Sequence, residues 1–213
     1  MNDKITVLLV DDHAVVRAGY GQVLSGSSRI ELIAEAESGE EGYSLYVQHQ
    51  PAVVIMDISL PGISGLESIR RILARDANAR ILVFSMHDDT VFVEQALQAG
   101  AIGYITKKSA ANTLVDAVLT VAKGQLYIDN SLAQTLAMEK ARGRSNVFSD
   151  LSTREFEIFC LLAEGLPTTT IATKLSIAPK TVANYSTQIK YKLGVKTNAE
   201  IAHLAIRYGL IQA

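Results

Sequence analysis

The sequence predicts an α/β domain with a doubly wound, five-stranded parallel sheet, followed by a small all-α domain of four helices. Short β-branched and apolar runs alternate with amphipathic stretches through residue 122, which is the pattern of strands separated by helices. The runs are apolar at successive positions, as in sheets that helices cover on both faces. After residue 148, only amphipathic helical patterns follow.

Each of the five apolar runs is predicted to be a strand, and an amphipathic stretch of helical length follows each run. Because a helix separates successive strands, the strands are expected to be parallel. The predicted strands are 5–10, 30–36, 52–57, 80–85 and 102–105, and the predicted helices are 13–24, 39–49, 64–75, 90–98 and 109–122.

We predict three segments: a first domain at 1–123, a linker with a short helix at 124–148, and a second domain at 149–213. The linker is inferred from the small and polar residues of "SLAQTLAMEKARGRSNVFSD", residues 131–150. No window approaches the length of an apolar membrane span, and the chain begins with polar residues rather than a signal peptide. A soluble cytoplasmic protein without membrane partners is expected.

The second domain has signals for the start and end of each helix. Ser152 or Thr153 can cap the helix in "LSTREFEIFCLLAEGL", and "TTTIATKL" predicts a second helix. Pro179 suits the first turn of a third helix, and Gly194 suits its end. A fourth helix spans about 197–208. The second and third helices, joined by about three residues, predict a helix-turn-helix whose second member enters the major groove of DNA.

The charge distribution also favours a nucleic-acid partner for the second domain. The whole chain has a net charge of −2, yet the segment between Leu166 and Ala199 has five lysines and no acidic residue. A local basic surface in a chain that is not globally basic is typical of contact with a polyanion. Charge alone leaves open the alternative of a solvated helical face.

Polar side chains follow the predicted strands of the first domain. Asp11 and Asp12 end the first strand, Asp57 the third and Ser85 the fourth, and Lys107 follows the fifth. Parallel strands bring their carboxyl ends to one edge of the sheet, where ligands bind. Three carboxylates that meet there repel one another unless a cation neutralises them. Mg²⁺ is the predicted cation, since it accepts carboxylate, phosphate and water oxygens.

The same edge could support transfer of a phosphoryl group to Asp57. The Mg²⁺ ion and the Lys107 ammonium could neutralise the phosphoryl oxygens, and the Ser85 hydroxyl could bond to one of them. As an alternative, Asp12 could simply cap the helix that starts near His13. That alternative leaves Asp57, Ser85 and Lys107 without a role.

Several motifs of the first domain resemble those of the receiver domain of two-component response regulators. The motifs are "LLVDDH", "VIMDISLPGISGLE", "VFSM" and "AGAIGYITKK", and the resemblance covers about residues 4–123. It implies that Asp57 accepts a phosphoryl group from a sensor histidine kinase. It further implies that Asp11 and Asp12 help Asp57 to bind Mg²⁺, and that Lys107 contacts the phosphoryl group.

The resemblance also implies a switch. Ser85 and Tyr104 would relay phosphorylation to the surface around the fourth helix and the fifth strand. One departure concerns Lys108, which stands where many receivers have a cis proline. A cis bond before any other residue costs about 2.5–4 kcal/mol, so a cis bond at 107–108 is disfavoured.

Residues 149–213 resemble the LuxR-type helix-turn-helix, and the combination with a receiver resembles the NarL/FixJ class of response regulators. The likeness lies in "LSTREFEIFCLLAEGL", "IATKLSIAPKTVANY" and "KLGV". It implies that the helix from Pro179 to Leu193 is the recognition helix. The family often has long polar residues where Ala183 and Thr168 to Thr170 stand here, so its base preference does not transfer. The implied base contacts are Ala183, Asn184 and Thr187, and the implied phosphate contacts are Lys180, Thr181, Lys190 and Lys192.

The sequence is thus interpreted as a transcription factor, not an enzyme. In the unphosphorylated state the receiver would hold or shield the recognition helix, and phosphorylated Asp57 would favour a homodimer that binds two DNA half-sites. The predicted partners are a sensor histidine kinase and promoter DNA, with RNA polymerase as a further candidate.

Three other functions compete with this interpretation. An aspartyl-phosphate phosphohydrolase of the haloacid dehalogenase kind expects Asp-x-Asp on the first strand and a cap domain, whereas Asp11 and Asp12 are adjacent here. A phosphorylation-independent factor that uses a degenerate receiver for dimerisation is the main alternative, although all the receiver site residues are present. RNA binding is disfavoured because the second domain lacks aromatic stacking platforms.

Overall fold

A computed structural model describes residues 4–141 and 147–211, without the side chains of 110–112. The chain divides into two compact units, the first ending at Met138 and the second beginning at Glu139. The predicted domain boundaries at 123 and 149 stay predictions, and residues 142–146 of the predicted linker lie outside the described residues. In the described part of the chain, no helix combines the length and apolar character that a membrane span requires.

The first unit contains a parallel sheet with the strand order β2-β1-β3-β4-β5-β6. This arrangement confirms the predicted α/β fold class. All five predicted strands are present, within one residue of the expected bounds at each end. The strands are β1 (Ile5–Val10), β2 (Ile30–Ala36), β3 (Val53–Met56), β4 (Ile81–Ser85), β5 (Gly103–Thr106) and β6 (Tyr127–Ile128).

The predicted count of five strands was wrong, because β6 adds a sixth. Tyr127 and Ile128 pair in parallel with Gly103 and Tyr104 of β5. A strand of two residues is too short to show a period in the sequence. Its position is set by the neighbouring strand β5, whose carbonyls accept hydrogen bonds from this segment, as the Tyr104 carbonyl does from the Asp129 amide.

Six helices accompany the sheet, and serine caps explain where two of them begin. The Ser38 hydroxyl accepts a hydrogen bond from the Glu41 amide, and the Ser64 hydroxyl accepts one from the Glu67 amide. Each cap satisfies an amide that has no partner within its own helix. The helices are α1 (Ala14–Ser25), α2 (Gly39–His49), α3 (Gly65–Arg75), α4 (Thr90–Gln98), α5 (Ala110–Val121) and α6 (Asn130–Ala141).

The strand order creates the position for a site. Every residue of β3, β4 and β5 is buried, as expected for strands covered on both faces. From β1 the chain crosses to β2 on one side and then returns to β3 on the other. The strand order therefore reverses between β1 and β3, which opens a crevice at their carboxyl ends.

The second unit is helical and includes the helix-turn-helix. A reciprocal capping box of Ser152 and Glu155 starts the first helix, and a second box of Thr197 and Glu200 starts the last. Gly194 ends the third helix in a left-handed conformation with φ 68°. The helices are α7 (Thr153–Ala163), α8 (Thr168–Lys174), α9 (Pro179–Leu193) and α10 (Asn198–Arg207).

An aromatic and aliphatic core holds α7, α9 and α10 together. Phe148 contacts the rings of Phe156 and Phe159, with ring centroids 5.9 and 4.8 Å apart. Val182 and Ile189 of α9 are fully buried, which confirms the core face that their spacing predicted. The orientation of α9 is therefore fixed by its apolar side, and its opposite side faces solvent.

Candidate functional site

An acidic cluster lies at the carboxyl ends of β1 and β3. One potential ligand atom from each of Asp11, Asp12, His13 and Asp57 lies within 4.8 Å of the others. Asp11 is fully buried and Asp57 is 2 % exposed, whereas Asp12 is exposed. The structure thus brings together the three acids that the sequence placed at this edge.

Lys107 neutralises part of this cluster. Its Nζ atom lies 2.6 Å from Asp11 Oδ2 and 2.6 Å from Asp57 Oδ2, and its side chain is almost fully buried. Burial by itself lowers the pKa of the Lys107 ammonium, but the two carboxylates outweigh burial and raise the pKa above its usual value. Two buried carboxylates thus share one cation, and exposed Asp12 adds a third negative charge.

The main chain of Lys107 is also held in place. The Lys107 amide donates to the Ser85 carbonyl at 2.8 Å, and the Tyr20 hydroxyl donates to the Lys107 carbonyl at 2.8 Å. Tyr20 packs edge-on against Phe84, with ring centroids 4.7 Å apart. Sequence reasoning missed Tyr20, because it lies on α1 and reaches the site only through the fold.

The cluster fits a hard divalent cation. Its oxygens come from three carboxylates, and Asp11 Oδ2 has its close ion pair with Lys107 but no hydrogen bond of regular geometry among the described residues. Mg²⁺ favours such oxygen ligands together with water. His13 was not predicted to belong here, yet its Nδ1 atom lies 2.6 Å from Asp12 Oδ1. His13 therefore competes for the carboxylate that a cation would bind.

The alternative role of Asp12 as a helix cap is wrong. The residue at the cap position of α1 is His13, and its side chain makes no capping hydrogen bond. The His13 amide instead donates to Asp11 Oδ1 at 2.9 Å. Asp12 instead lies at the exposed side of the cluster, where it pairs with the His13 ring.

The loop after β3 brings its backbone close to Asp57. The Ser59 amide donates to Asp57 Oδ1 at 3.1 Å, and the Gly65 amide donates to the Ile58 carbonyl at 3.2 Å. A Cβ atom on Gly65 would lie 1.8 Å from the Asp57 carbonyl oxygen. Only glycine allows this close approach of the two backbone segments.

Ser85 and Tyr104 meet at the loop after β4 and not at the acids themselves. The His87 amide donates to Ser85 Oγ at 3.2 Å, and the Tyr104 hydroxyl donates to the His87 carbonyl at 2.9 Å. Tyr104 is fully buried, and burial raises the pKa of its phenol. The two predicted switch residues thus both contact the backbone of His87, and their side chains also bond to each other.

His87 is a site residue that the sequence did not reveal. Its Nε2 atom lies 3.1 Å from Ser59 Oγ, and its ring stacks on Phe92 of α4 at a centroid distance of 3.9 Å. Burial lowers the pKa of the His87 imidazole. Nothing in the spacing of the histidines indicates this role, because it depends on two loops that meet only in the folded chain.

The segment after Lys107 has an ordinary backbone. Every described peptide bond is trans, including the bond between Lys107 and Lys108. The Lys108 ammonium lies 2.6 Å from Asp88 Oδ2, and both side chains are exposed. This lysine thus contacts the loop after β4 instead of the acidic cluster.

Helix α9, the predicted recognition helix, presents most of the predicted DNA contacts to solvent. Val182 and Ile189 are buried on the opposite side. The Thr187 hydroxyl donates to the Ala183 carbonyl at 3.0 Å, so its proton is already used within the helix. Lys180, Ala183, Asn184, Thr187 and Lys192 are exposed, whereas Thr181 and Lys190 are half-buried.

Lys192 makes contacts within the second unit. Its Nζ atom lies 2.6 Å from Glu155 Oε2 and donates to the Asp150 carbonyl at 3.0 Å. Glu155 is buried, and burial tends to raise its pKa. The Lys192 ammonium and the Ser152 donors prevail and lower the pKa of Glu155 below its usual value. Lys192 therefore ties the end of α9 to the start of α7.

We predict that Lys192→Met lowers the free energy of unfolding at neutral pH by about 1–2 kcal/mol. This estimate is below the range for a fully buried pair, because the Lys192 side chain is 35 % exposed. A carboxylate with a lowered pKa stabilises the fold above its usual pKa and loses that effect as the pH falls through the folded value. The difference between wild type and variant should therefore shrink in acid.

Urea unfolding at several pH values measures this difference. Lys190→Met is the matched control, since Lys190 lies on the same helix and has no ion pair among the described residues. The control should remain within about 0.5 kcal/mol of wild type. An equal loss for the two variants, or a loss that does not depend on pH, would show that the contact with Glu155 has no energetic role.

Comparison with known proteins gives two family matches. Residues 7–119 match the family described as "Response regulator receiver domain", and residues 149–205 match "Bacterial regulatory proteins, luxR family". Together these matches cover both structural units.

Relatives match the chain over nearly its whole length. It is 43 % identical over 209 residues to the transcriptional activator protein ExaE of Pseudomonas putida, covering 97 % of this chain and 98 % of that protein. It is 36 % identical over 211 residues to the response regulator UvrY of Escherichia coli K12, covering 98 % and 97 %. A structure of RcsB from Salmonella enterica serovar Typhimurium, bound to a promoter in the presence of the phosphomimetic BeF3−, is 26 % identical. It has a TM-score of 0.71 and covers 94 % of this chain and 98 % of that one.

Proposed function

The chain belongs to the response regulators that join a receiver domain to a LuxR-type DNA-binding domain, and we propose that phosphorylation of Asp57 switches its binding to promoter DNA. Members of this family are DNA-binding transcription regulators and not enzymes. The observation that supports this proposal best is the buried Asp57 carboxylate, which lies 2.6 Å from Lys107 beside two further acids.

The first step of the proposed function is phosphoryl transfer. A carboxylate oxygen of Asp57 attacks the phosphorus of a phosphohistidine on a sensor kinase, the phosphorus–oxygen bond forms, and the phosphorus–nitrogen bond to the histidine breaks. The Lys107 ammonium, which pairs with Asp57 in this structure, would move to an oxygen of the transferred group. Acetyl phosphate can serve as a small-molecule donor for the same chemistry.

Asp11, Asp12 and Asp57 are the residues that would hold Mg²⁺. The bound ion would supply positive charge that neutralises the oxygens of the phosphoryl group. Asp12 would need to release the His13 ring, 2.6 Å away, to serve as a ligand. We therefore expect the affinity for Mg²⁺ to rise when His13 is replaced by a residue that cannot pair with Asp12.

The second step relays the change to the surface. Ser85 would bond to an oxygen of the phosphoryl group. The His87 amide donates to Ser85 in this structure, and that hydrogen bond would be lost or shifted. The Tyr104 hydroxyl holds the carbonyl of the same residue, so the loop after β4 and helix α4 would move together. This surface would then favour a homodimer.

The dimer would present two recognition helices to two half-sites on promoter DNA. A protein with this function must contact both chromosomal DNA and a sensor kinase. This requirement favours the cytoplasm. The promoter-bound RcsB structure supports DNA as the partner, since RcsB matches this chain across both units. RNA polymerase would be a further partner once the dimer is bound.

The experiment that tests this function measures the mass of the full-length protein in solution and its affinity for duplex DNA. Treatment with acetyl phosphate and Mg²⁺ should raise the mass toward that of a dimer and strengthen binding by at least about tenfold, or about 1.4 kcal/mol. Omitting Mg²⁺ is the control and should prevent both changes. Equal affinity with and without treatment would support the alternative factor that works without phosphorylation.

A further inference from the structure

Tyr191 of the recognition helix α9 has a strongly exposed side chain. Its side chain is 88 % exposed, the highest value among the large apolar side chains that the structure describes. It has no side-chain hydrogen bond, ion pair or ring contact within residues 4–141 and 147–211. The ring therefore adds little to the packing of the second unit, whereas Val182 and Ile189 of the same helix are fully buried.

The position of Tyr191 on α9 places it on the DNA-facing side. An α-helix turns by about 100° per residue, so Tyr191 lies about 180° around the axis from buried Val182. By the same rule, Lys180, Asn184 and Thr187 lie within about 40° of Tyr191. Tyr191 is thus in line with three predicted DNA contacts, one or more turns further along the helix.

The distance along the helix decides which part of DNA Tyr191 can reach. At 1.5 Å per residue, Tyr191 lies about 10 Å beyond Asn184 and about 16 Å beyond Lys180. The major groove is about 12 Å wide, and recognition helices contact bases mainly with their N-terminal residues. A side chain at the far end of α9 therefore passes the base edges and meets the sugar-phosphate backbone.

The neighbouring groups leave Tyr191 as an available hydroxyl donor. The Thr187 hydroxyl proton is already donated to the Ala183 carbonyl. The Lys192 ammonium is already bound to Glu155 and to the Asp150 carbonyl. A tyrosine hydroxyl is one of the groups that commonly donate to phosphate oxygens.

We propose that Tyr191 is a DNA-contacting residue whose hydroxyl donates a hydrogen bond to a phosphate of the bound duplex. This inference rests on the proposed DNA-binding function and adds a contact at the C-terminal end of the recognition helix. The lysine-rich and acid-free surroundings between Leu166 and Ala199 favour DNA as the partner of this face over another protein.

The test compares the full-length wild type with Tyr191→Phe after treatment with acetyl phosphate and Mg²⁺. Two duplexes serve as probes, one selected from a random-sequence pool with the wild type and one of unselected sequence. Because a phosphate contact is independent of sequence, the variant should bind both duplexes about three- to tenfold more weakly. The dependence of affinity on salt should stay the same, because the hydroxyl has no charge.

Two variants calibrate this result. Tyr43→Phe removes a hydroxyl from a half-buried tyrosine of α2 and should bind as wild type does. Lys180→Met removes a cation from the same face of α9 and should reduce the salt dependence by about one phosphate contact per copy. The thermal midpoint of Tyr191→Phe should equal that of the wild type, since the Tyr191 side chain is 88 % exposed and only its hydroxyl is removed.

Each other outcome would overturn the inference in a recognisable way. If Tyr191→Phe binds both duplexes as the wild type does, DNA binding stands but Tyr191 has no part in it. If binding weakens only for the selected duplex, the contact is to a base and not to a phosphate. If Tyr191→Phe, measured without DNA, has a smaller mass in solution than the wild type, the Tyr191 ring contacts a second copy of the chain. If the wild type binds neither duplex, the proposed function fails as well.

Discussion

Lys107→Ala is expected to lower the free energy of unfolding of the first unit by roughly 3–5 kcal/mol at neutral pH without Mg²⁺. The reason is that Asp11 and Asp57 are both buried and both lie 2.6 Å from the Lys107 ammonium. Removal of the Lys107 ammonium leaves both buried carboxylates without this close counter-charge. Urea unfolding of the full-length protein, followed by a probe in the first unit, measures the change.

The adjacent lysine provides the matched control. Lys108 pairs with Asp88 at the same distance of 2.6 Å, but both side chains are exposed. Lys108→Ala should therefore cost less than about 1 kcal/mol. Addition of Mg²⁺ should stabilise Lys107→Ala more than the wild type, because the ion would replace the missing positive charge. Equal losses for the two lysine variants would contradict the assignment of Lys107 as the counter-charge of the acids.

Gly65→Ala is expected to destabilise the first unit by at least about 2 kcal/mol and to impair phosphorylation. The new Cβ atom would lie 1.8 Å from the Asp57 carbonyl oxygen and 2.7 Å from the Ile58 Cα atom. Both neighbours are backbone, so neither can rotate away as a side chain could. The loop after β3 would have to shift, and with it the Asp57 carboxylate, which is the proposed acceptor of the phosphoryl group.

Gly19→Ala is the control for this substitution. No atom lies within 4 Å of a Cβ atom built on Gly19, which lies within α1. Alanine there should stabilise the fold by about 0.5–1 kcal/mol, because it reduces the freedom of the unfolded chain. If Gly65→Ala has the same free energy of unfolding as the wild type and is phosphorylated to the same extent, the loop after β3 is more adaptable than its backbone contacts indicate.

The strands and most helices could be predicted because each follows from a local pattern. Runs such as "ITVLLV" and "AVVIMD" show where the chain is buried on both faces, and the helices of the second unit have caps at recognisable spacings. The positions of Asp11, Asp57 and Lys107 at one edge then follow from the parallel topology alone.

Features that depend on contacts between distant segments could not be predicted. Strand β6 is defined only by its pairing with β5. His87 joins two loops through Ser59, and Lys192 bonds to Glu155 at a separation of 37 residues. No periodicity specifies such contacts, because each depends on the angle at which two elements meet. Lys192 is an example, because the sequence predicts a surface lysine and the fold pairs it with Glu155.

We propose that the acidic cluster serves to place a phosphoryl group on Asp57. The most direct test is the intact mass of the wild type and of Asp57→Asn after incubation with acetyl phosphate and Mg²⁺, with DNA affinity measured on the same samples. We expect the wild type alone to gain one phosphoryl group and to bind duplex DNA more tightly as a dimer. If neither protein gains mass, or if Asp57→Asn gains as much as the wild type, the assignment of Asp57 as the switch is contradicted.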